Sequence, residues 1–140
     1  MIQVEENEFA RIELDRDAHV VQLVRKAVPM TLENLDRLVD DLQLAIPLRE
    51  RPRLVILLDG RQSPMVRDDA SEKALLGAIP RFFAKFAACA LLMKTPVGRL
   101  QANRFAAHVP AAAEVKVFLD EKEAWAWARA EAAKLKDAAR

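Results

Sequence analysis

An α/β fold, with a mixed sheet of four to five strands covered by about four helices, is what the sequence predicts. Three observations lead there. Two β-prone stretches separated by a charged triplet open the chain, and apolar runs then alternate with amphipathic segments. The last run, Val115-Lys116-Val117-Phe118-Leu119, hands over directly to Asp120-Glu121-Lys122-Glu123-Ala124-Trp125-Ala126-Trp127. A strand followed at once by a capped helix, after earlier strand-helix alternations, builds layers in which helices cover a sheet.

The opening stretches are Ala10 to Asp15 and Ala18 to Arg25, with Ile12, Leu14, Val21 and Leu23 at alternating positions around Asp15-Arg16-Asp17. They form an antiparallel hairpin. Pro29 stops the second strand, and Thr31 can accept a backbone hydrogen bond as the N-cap of a helix whose Glu33 suits the positive helix end. Leu32, Leu35, Leu38, Val39, Leu42 and Ile46 recur at three- and four-residue steps, so that helix has one apolar face and ends before Pro47. Arg49, Arg51 and Arg53 around Pro52 are expected in a solvated loop.

Leu54 to Leu58 is apolar without alternation, as suits a central strand covered on both faces, and Asp59-Gly60 closes it as a turn. After the polar loop Arg61 to Asp69, Ser71 is expected to cap a helix with Ala74, Leu75, Ala78 and Ile79 on one side. Pro80 is expected to kink or break that helix near Gly77 to Pro80, with Phe82, Phe83 and Phe86 continuing beyond. Ala88 to Met93 is the next buried strand. Pro96 starts a helix through about Ala107, with Leu100, Asn103 and Phe105 partly inward, before Pro110 and the strand Glu114 to Leu119. Asp120 caps the final helix, and Asp120 with Glu123 make a capping-box pair. The expected order is β-β-α-β-α-β-α-β-α, with residues 131 to 140 fraying.

One domain over residues 1–140 is expected for a chain of 140 residues, with its core at about 9–128 and a helical extension at 129–140. Hydrophobic residues make up 52% and charged residues 31%, a globular balance. The 22 Lys and Arg are interspersed with 21 Asp and Glu for a net charge of +1, so no basic footprint points to nucleic acid. The acidic start and the absence of a long apolar run argue against export or membrane insertion. Cys89 stands alone in the apolar run Ala87 to Met93, which fits a small buried thiol in a reducing cytoplasm.

The opening hairpin, the Thr31 helix, the Leu54 to Asp59 strand, the Ala87 to Lys94 strand and the ending Val117-Phe118-Leu119-Asp120 with Ala124 and Trp127 carry a resemblance. Over roughly residues 9 to 128 the chain resembles the SpoIIAA-like branch of the STAS superfamily. These are small bacterial proteins related to anti-sigma-factor antagonists and, in shape, to CRAL-TRIO lipid carriers. The resemblance implies a four- or five-stranded sheet backed by helices and a non-enzymatic role in protein interaction or small-ligand binding. The antagonists' Asp-Ser-Ser/Thr-Gly pattern after the third strand, which carries a phosphorylated serine, is absent. Here Leu58 is followed by Asp59-Gly60-Arg61-Gln62-Ser63-Pro64. Ser71 stands nearest the required helix start, but Asp68, Asp69 and Glu72 would repel a phosphate there, so capping is favoured over a phosphoswitch. Ser63 beside Pro64 reads as a turn serine.

No catalytic set is recognisable. His19 and His108 share no metal-ligand spacing with carboxylates, and three glycines form no phosphate loop. Asp59 ends a central strand, where α/β folds place functional groups, although a strand-ending Asp-Gly is also an ordinary turn. Phe82, Phe83, Phe86 and Met93 line an apolar pocket in one reading and are plain core in the simpler one. Trp125 and Trp127 point about 200° apart on a helix, so Trp127 is expected in the core and Trp125 outward, as an interface residue or the cover of a helix edge. The expectation is a non-enzymatic cytoplasmic interaction module that presents Asp59, Arg61, Ser63, Met65, Arg67, Ser71 and Trp125 to a protein partner, with a second copy of the chain as one candidate. No cofactor, metal or nucleic acid is expected. A carrier or sensor of a small apolar ligand such as a lipid is the alternative.

Overall fold

The structure, a computed structural model, describes residues 2–29, 31–64, 68–110 and 113–138. Its strands are β1 (Ile2–Glu6), β2 (Ala10–Asp15), β3 (Val20–Arg25), β4 (Val55–Asp59), β5 (Ala88–Leu92) and β6 (Glu114–Phe118). The helices are α1 (Leu32–Ala45), α2 (Asp69–Phe82), α3 (Pro96–Ala106) and α4 (Glu121–Ala138), with a short 3-10 helix at Leu48–Arg53. One sheet takes the spatial order β1-β2-β3-β4-β5-β6, antiparallel from β1 to β3 and parallel from β3 to β6. The α/β class and mixed sheet agree with the sequence. The strand count is six, not four to five.

The additional strand is β1, and the sequence hides it for a physical reason. As an edge strand it pairs through its backbone, while Ile2 and Val4 stay exposed and the register shifts between Gln3 and Glu5, so no buried alternation marks it. Lys26 Nζ donates to the Glu6 carboxylate at 2.8 Å across this end of the sheet. The hairpin is confirmed, with Ile12 opposite Leu23 and Leu14 opposite Val21. Its second strand starts at Val20 rather than Ala18, because the Asp15 carboxylate accepts from Ala18 N at 2.9 Å and His19 adopts φ 59°, closing a turn.

Helices α1, α2 and α3 pack on one face of the sheet, where Leu35, Leu38 and Leu42 of α1 and Ile79 and Phe82 of α2 meet Ile12, Leu23, Ile56 and Leu91. Among the described residues the opposite face is covered by α4, over Val20, Val55, Leu57, Ala90 and Leu92. β4 and β5 are therefore sandwiched, which accounts for their apolar runs without alternation. Burial pushes the Cys89 thiol on β5 up to about 12, so it is a neutral packing group at physiological pH.

Four local expectations are corrected. Asp68, not Ser71, caps α2: its carboxylate accepts from Ser71 N at 2.7 Å and from Ser71 Oγ at 2.9 Å, which puts Ser71 inside the first turn. Pro80 does not break α2, which runs unbroken to Phe82; Pro80 stands in the last turn, and the buried Ile79 and Phe82 on either side hold the helix to the core. Phe86 lies beyond the helix. On α3, Leu100 and Asn103 face solvent and Ala102 is the buried contact, because the helix approaches the sheet along its small residues. Residues 131 to 138 do not fray, since α4 continues to Ala138 with Ala132 fully buried and Lys136 bonded to the Asp17 carbonyl.

The tryptophan assignment changes for the same reason as α3. Ala124, Ala128 and Ala132, with no exposed surface, form the contact stripe of α4, and Trp125 and Trp127 flank its centre at about 60° and about 100° on opposite sides. Trp127 is half-buried against Phe118, with ring centroids 5.8 Å apart, and is not the core residue expected. Trp125 is half-buried on the other flank, beneath the Arg129 guanidinium at 5.0 Å.

Arg51 departs furthest from its expected place. Arg49 and Arg53 are exposed as anticipated, but Arg51 is 1% exposed. Its Nε donates to the Ile46 carbonyl at 3.0 Å, and one Nη donates to the carbonyls of Phe82 and Ala84 at 3.3 and 3.1 Å. The guanidinium also stacks 4.8 Å from the Phe86 ring centroid. One cation thus joins the carboxyl ends of α1 and α2, where the helix dipoles are negative, and burial lowers its pKa without a compensating carboxylate.

Candidate functional site: a cleft between the second and third helices

At the carboxyl ends of β3, β4 and β5, the helices α2 and α3 stand apart and leave a cleft of about 580 Å³. That volume lies within the range of roughly 300–1,000 Å³ usual for small-molecule sites. Its floor is Leu58 and Leu91 of the sheet; Leu75 and Ile79 of α2 form one wall and Ala102, Phe105 and Ala106 of α3 the other. These residues carry no hydrogen-bonding side chains. A smaller space of about 50 Å³ adjoins it toward α1, sharing Arg25, Leu58, Leu75, Ile79 and Phe83 as lining.

Capping and close packing set the shape. Thr95 caps α3, its Oγ1 accepting from Gly98 N at 3.0 Å, and Pro96 fixes the first turn. Gly60 leaves β4 with its N–H donating to the Leu92 carbonyl at 2.8 Å. A Cβ there would meet the tip of the Met93 side chain, Cε at 2.8 Å, and that side chain lines the cleft.

Most of the polar groups at the cleft are already engaged. The Asp59 carboxylate is 5% exposed and held in a fork by Arg61, with Nε to Oδ1 at 3.0 Å and Nη2 to Oδ2 at 2.8 Å. Arg61 Nη1 also donates to Glu121 of α4 at 3.3 Å, and its pKa rises chiefly through the Asp59 hydrogen bond. Asp59 therefore ties the end of β4 to the start of α4, and the surface position anticipated for it is not where the chain puts it. Ser63 lines the rim, its Oγ donating to the Pro64 carbonyl at 3.4 Å, while Asp68 and Ser71 bond each other.

Arg25 is the exception. It projects from the end of β3 into both spaces, and its only hydrogen bond among the described residues is a long one, Nη2 to the Val28 carbonyl at 3.5 Å. Burial brings its guanidinium down to about 10. Two buried side-chain nitrogens lack a hydrogen bond among the described residues, Arg11 Nε and Arg25 Nε. Arg11 Nε has the Glu13 carboxylate 2.5 Å away, and Arg25 has no ion pair there. Nothing in Arg25's strand-end position marks it in the sequence.

Of the residues singled out by sequence, Phe83, Met93, Arg61, Ser63 and Ser71 converge on the cleft. Phe82 lines only the smaller space, in an edge-to-face pair with Phe83 at 5.1 Å, and Phe86 packs under Arg51. Trp125 belongs to the α4 face, across the sheet. Met65 and Arg67 lie outside the described residues. His19 and His108 occupy separate turns, and no group of three His, Cys, Asp or Glu among the described residues could hold a metal ion. No helix among them is long and apolar enough to cross a membrane.

No protein-family model matches the sequence, and no curated protein matches it. The structure is similar to the crystal structure of a protein of the DUF3478 family from Shewanella loihica PV-4, described as having a SpoIIAA-like fold. The TM-score is 0.65, covering 89% of this chain and 98% of that one at 17% identity. The fold is SpoIIAA-like. β1 forms one edge of the sheet, and the cleft opens on the face that carries α2 and α3.

Proposed function

We propose that this SpoIIAA-like protein is a non-enzymatic binding module of the bacterial cytoplasm, a carrier or sensor that takes a small, largely apolar ligand between α2 and α3. The observation that carries this reading is the cleft itself: about 580 Å³, walled by Leu58, Leu75, Ile79, Leu91 and Phe105. A preformed apolar concavity with few polar groups is the usual form of a small-molecule site. Asp59, held in the Arg61 fork, is not free to serve as a base, which favours binding over chemistry.

The protein-interaction reading keeps one specific support. Arg61, Ser63 and Ser71, expected on a partner surface, line the mouth of the cleft, so a partner meeting that loop would also meet any occupant. Regulation of a protein partner by occupancy unites the two readings. Native mass spectrometry of freshly purified protein tests the first. A fraction of the chain is expected to retain the added mass of a small ligand; a bare dimer with no adduct would favour protein interaction alone.

A further inference from the structure

We infer that the ligand of this cleft is an amphiphile bearing a single carboxylate on an apolar chain, and that Arg25 receives the carboxylate. The inference rests on the cleft reading and adds to it the chemistry of the head group.

The geometry supplies two complementary parts. Arg25 enters from the end of β3 with Nε buried and unbonded among the described residues, and with one Nη held only by the 3.5 Å contact to Val28. A guanidinium has five N–H donors in a fixed fork; Arg25 is half-buried, but its Nε is shut off from solvent without an acceptor among the described residues, which is costly. The other cations at the cleft do not share this state: Arg61 is satisfied by Asp59 and Glu121, and Lys94 is exposed at the rim. Asp68, the acidic residue among the described lining, has its carboxylate on Ser71. Burial lowers the Arg25 pKa, the expected response of a cation whose counter-charge is missing.

Toward α3 the cleft is walled mainly by the apolar Leu58, Leu91, Ile79, Phe83 and Phe105, with Gln101 a polar member of the lining on α3. A chain attached to the bound head would therefore lie against aliphatic and aromatic side chains. One guanidinium balances one charge and pairs with a carboxylate through two parallel hydrogen bonds, whereas a phosphate monoester, at about −1.5 to −2, would retain an uncompensated charge.

The test is isothermal titration of the full chain at neutral pH with sodium decanoate and with 1-decanol, which share a chain and differ in the head, repeated on Arg25→Met. Wild-type protein is expected to bind decanoate about 10- to 100-fold more tightly than decanol, the range of a hydrogen-bonded charged group. Arg25→Met should lose that preference and keep its decanol affinity within about twofold. Arg25→Lys, which keeps the charge without the fork, should retain part of the preference and guards against a misfolded methionine variant. Equal wild-type affinities, or a preference that survives in Arg25→Met, would overturn the inference. Decanol binding without preference leaves the cleft reading standing and removes the carboxylate. Binding of neither removes both.

Discussion

Replacing Arg51 by methionine is expected to lower the unfolding free energy by about 3–5 kcal/mol, because three carbonyl oxygens lose their donor at roughly 1–3 kcal/mol each with partial relaxation. Methionine preserves the contact over Phe86, so the loss reports on hydrogen bonding and charge rather than on volume. Urea denaturation followed by circular dichroism reads it directly. Arg51→Lys keeps the cation but cannot span the carbonyls of Ile46, Phe82 and Ala84 together, and should fall between wild type and methionine. A change below about 1 kcal/mol in Arg51→Met would mean that the ends of α1 and α2 do not depend on this residue. The consequence reaches the cleft, since α2 is one of its walls and Arg51 anchors that wall at its carboxyl end.

Filling the cleft should abolish ligand binding without harming the fold. Ala106 lies on α3, half-buried in the cleft lining, and Ala106→Phe directs an aromatic ring into space that is otherwise empty. Because the added ring occupies a cavity rather than a packed core, the overpacking cost of about 1–3 kcal/mol should not appear, and stability should hold or rise. Affinity for 1-decanol should fall by at least about tenfold, equivalent to 1.4 kcal/mol. A well-folded Ala106→Phe protein with unchanged decanol affinity would place the ligand elsewhere.

How much of this could be read from the sequence depends on whether a residue's role is local. Thr31 and Asp120 are legible as caps because capping needs only a side-chain oxygen two or three residues before the N–H that donates to it, and both accept the expected bonds. β4 and β5 were legible because burial on both faces leaves an apolar run of strand length. Asp68, Asp69 and Ser71 all suit a cap position and spacing alone does not choose between them, so the sequence favours Ser71 where the chain uses Asp68. Arg51 carried a faint signal: Leu48, Arg51 and Leu54 recur every three residues, the repeat of a 3-10 helix, which puts the arginine on the face shared with the buried Leu54.

The cleft was less legible still. Phe83 and Met93 line the cleft, whereas Phe82 lines only the smaller space and Phe86 packs under Arg51, although all three phenylalanines share one local pattern. The difference comes from where α2 ends and how Arg51 claims Phe86, both consequences of tertiary packing. Arg25 is not legible, since an arginine at a strand end is usually solvated and only tertiary packing surrounds this one with Leu35 and Leu38 of α1, Leu58 of β4 and Leu75 and Ile79 of α2.

The central claim, that an apolar ligand enters between α2 and α3, is tested most directly by methyl NMR of the full chain during titration with 1-decanol. The methyls of Leu58, Leu75, Ile79, Leu91 and Val109, which line the cleft, should shift in a saturable manner. Those of Val20, Val55 and Leu57, on the α4 side of the sheet, should stay in place. Saturable shifts confined to the α4 side, or no saturable shift at the cleft methyls, would contradict it.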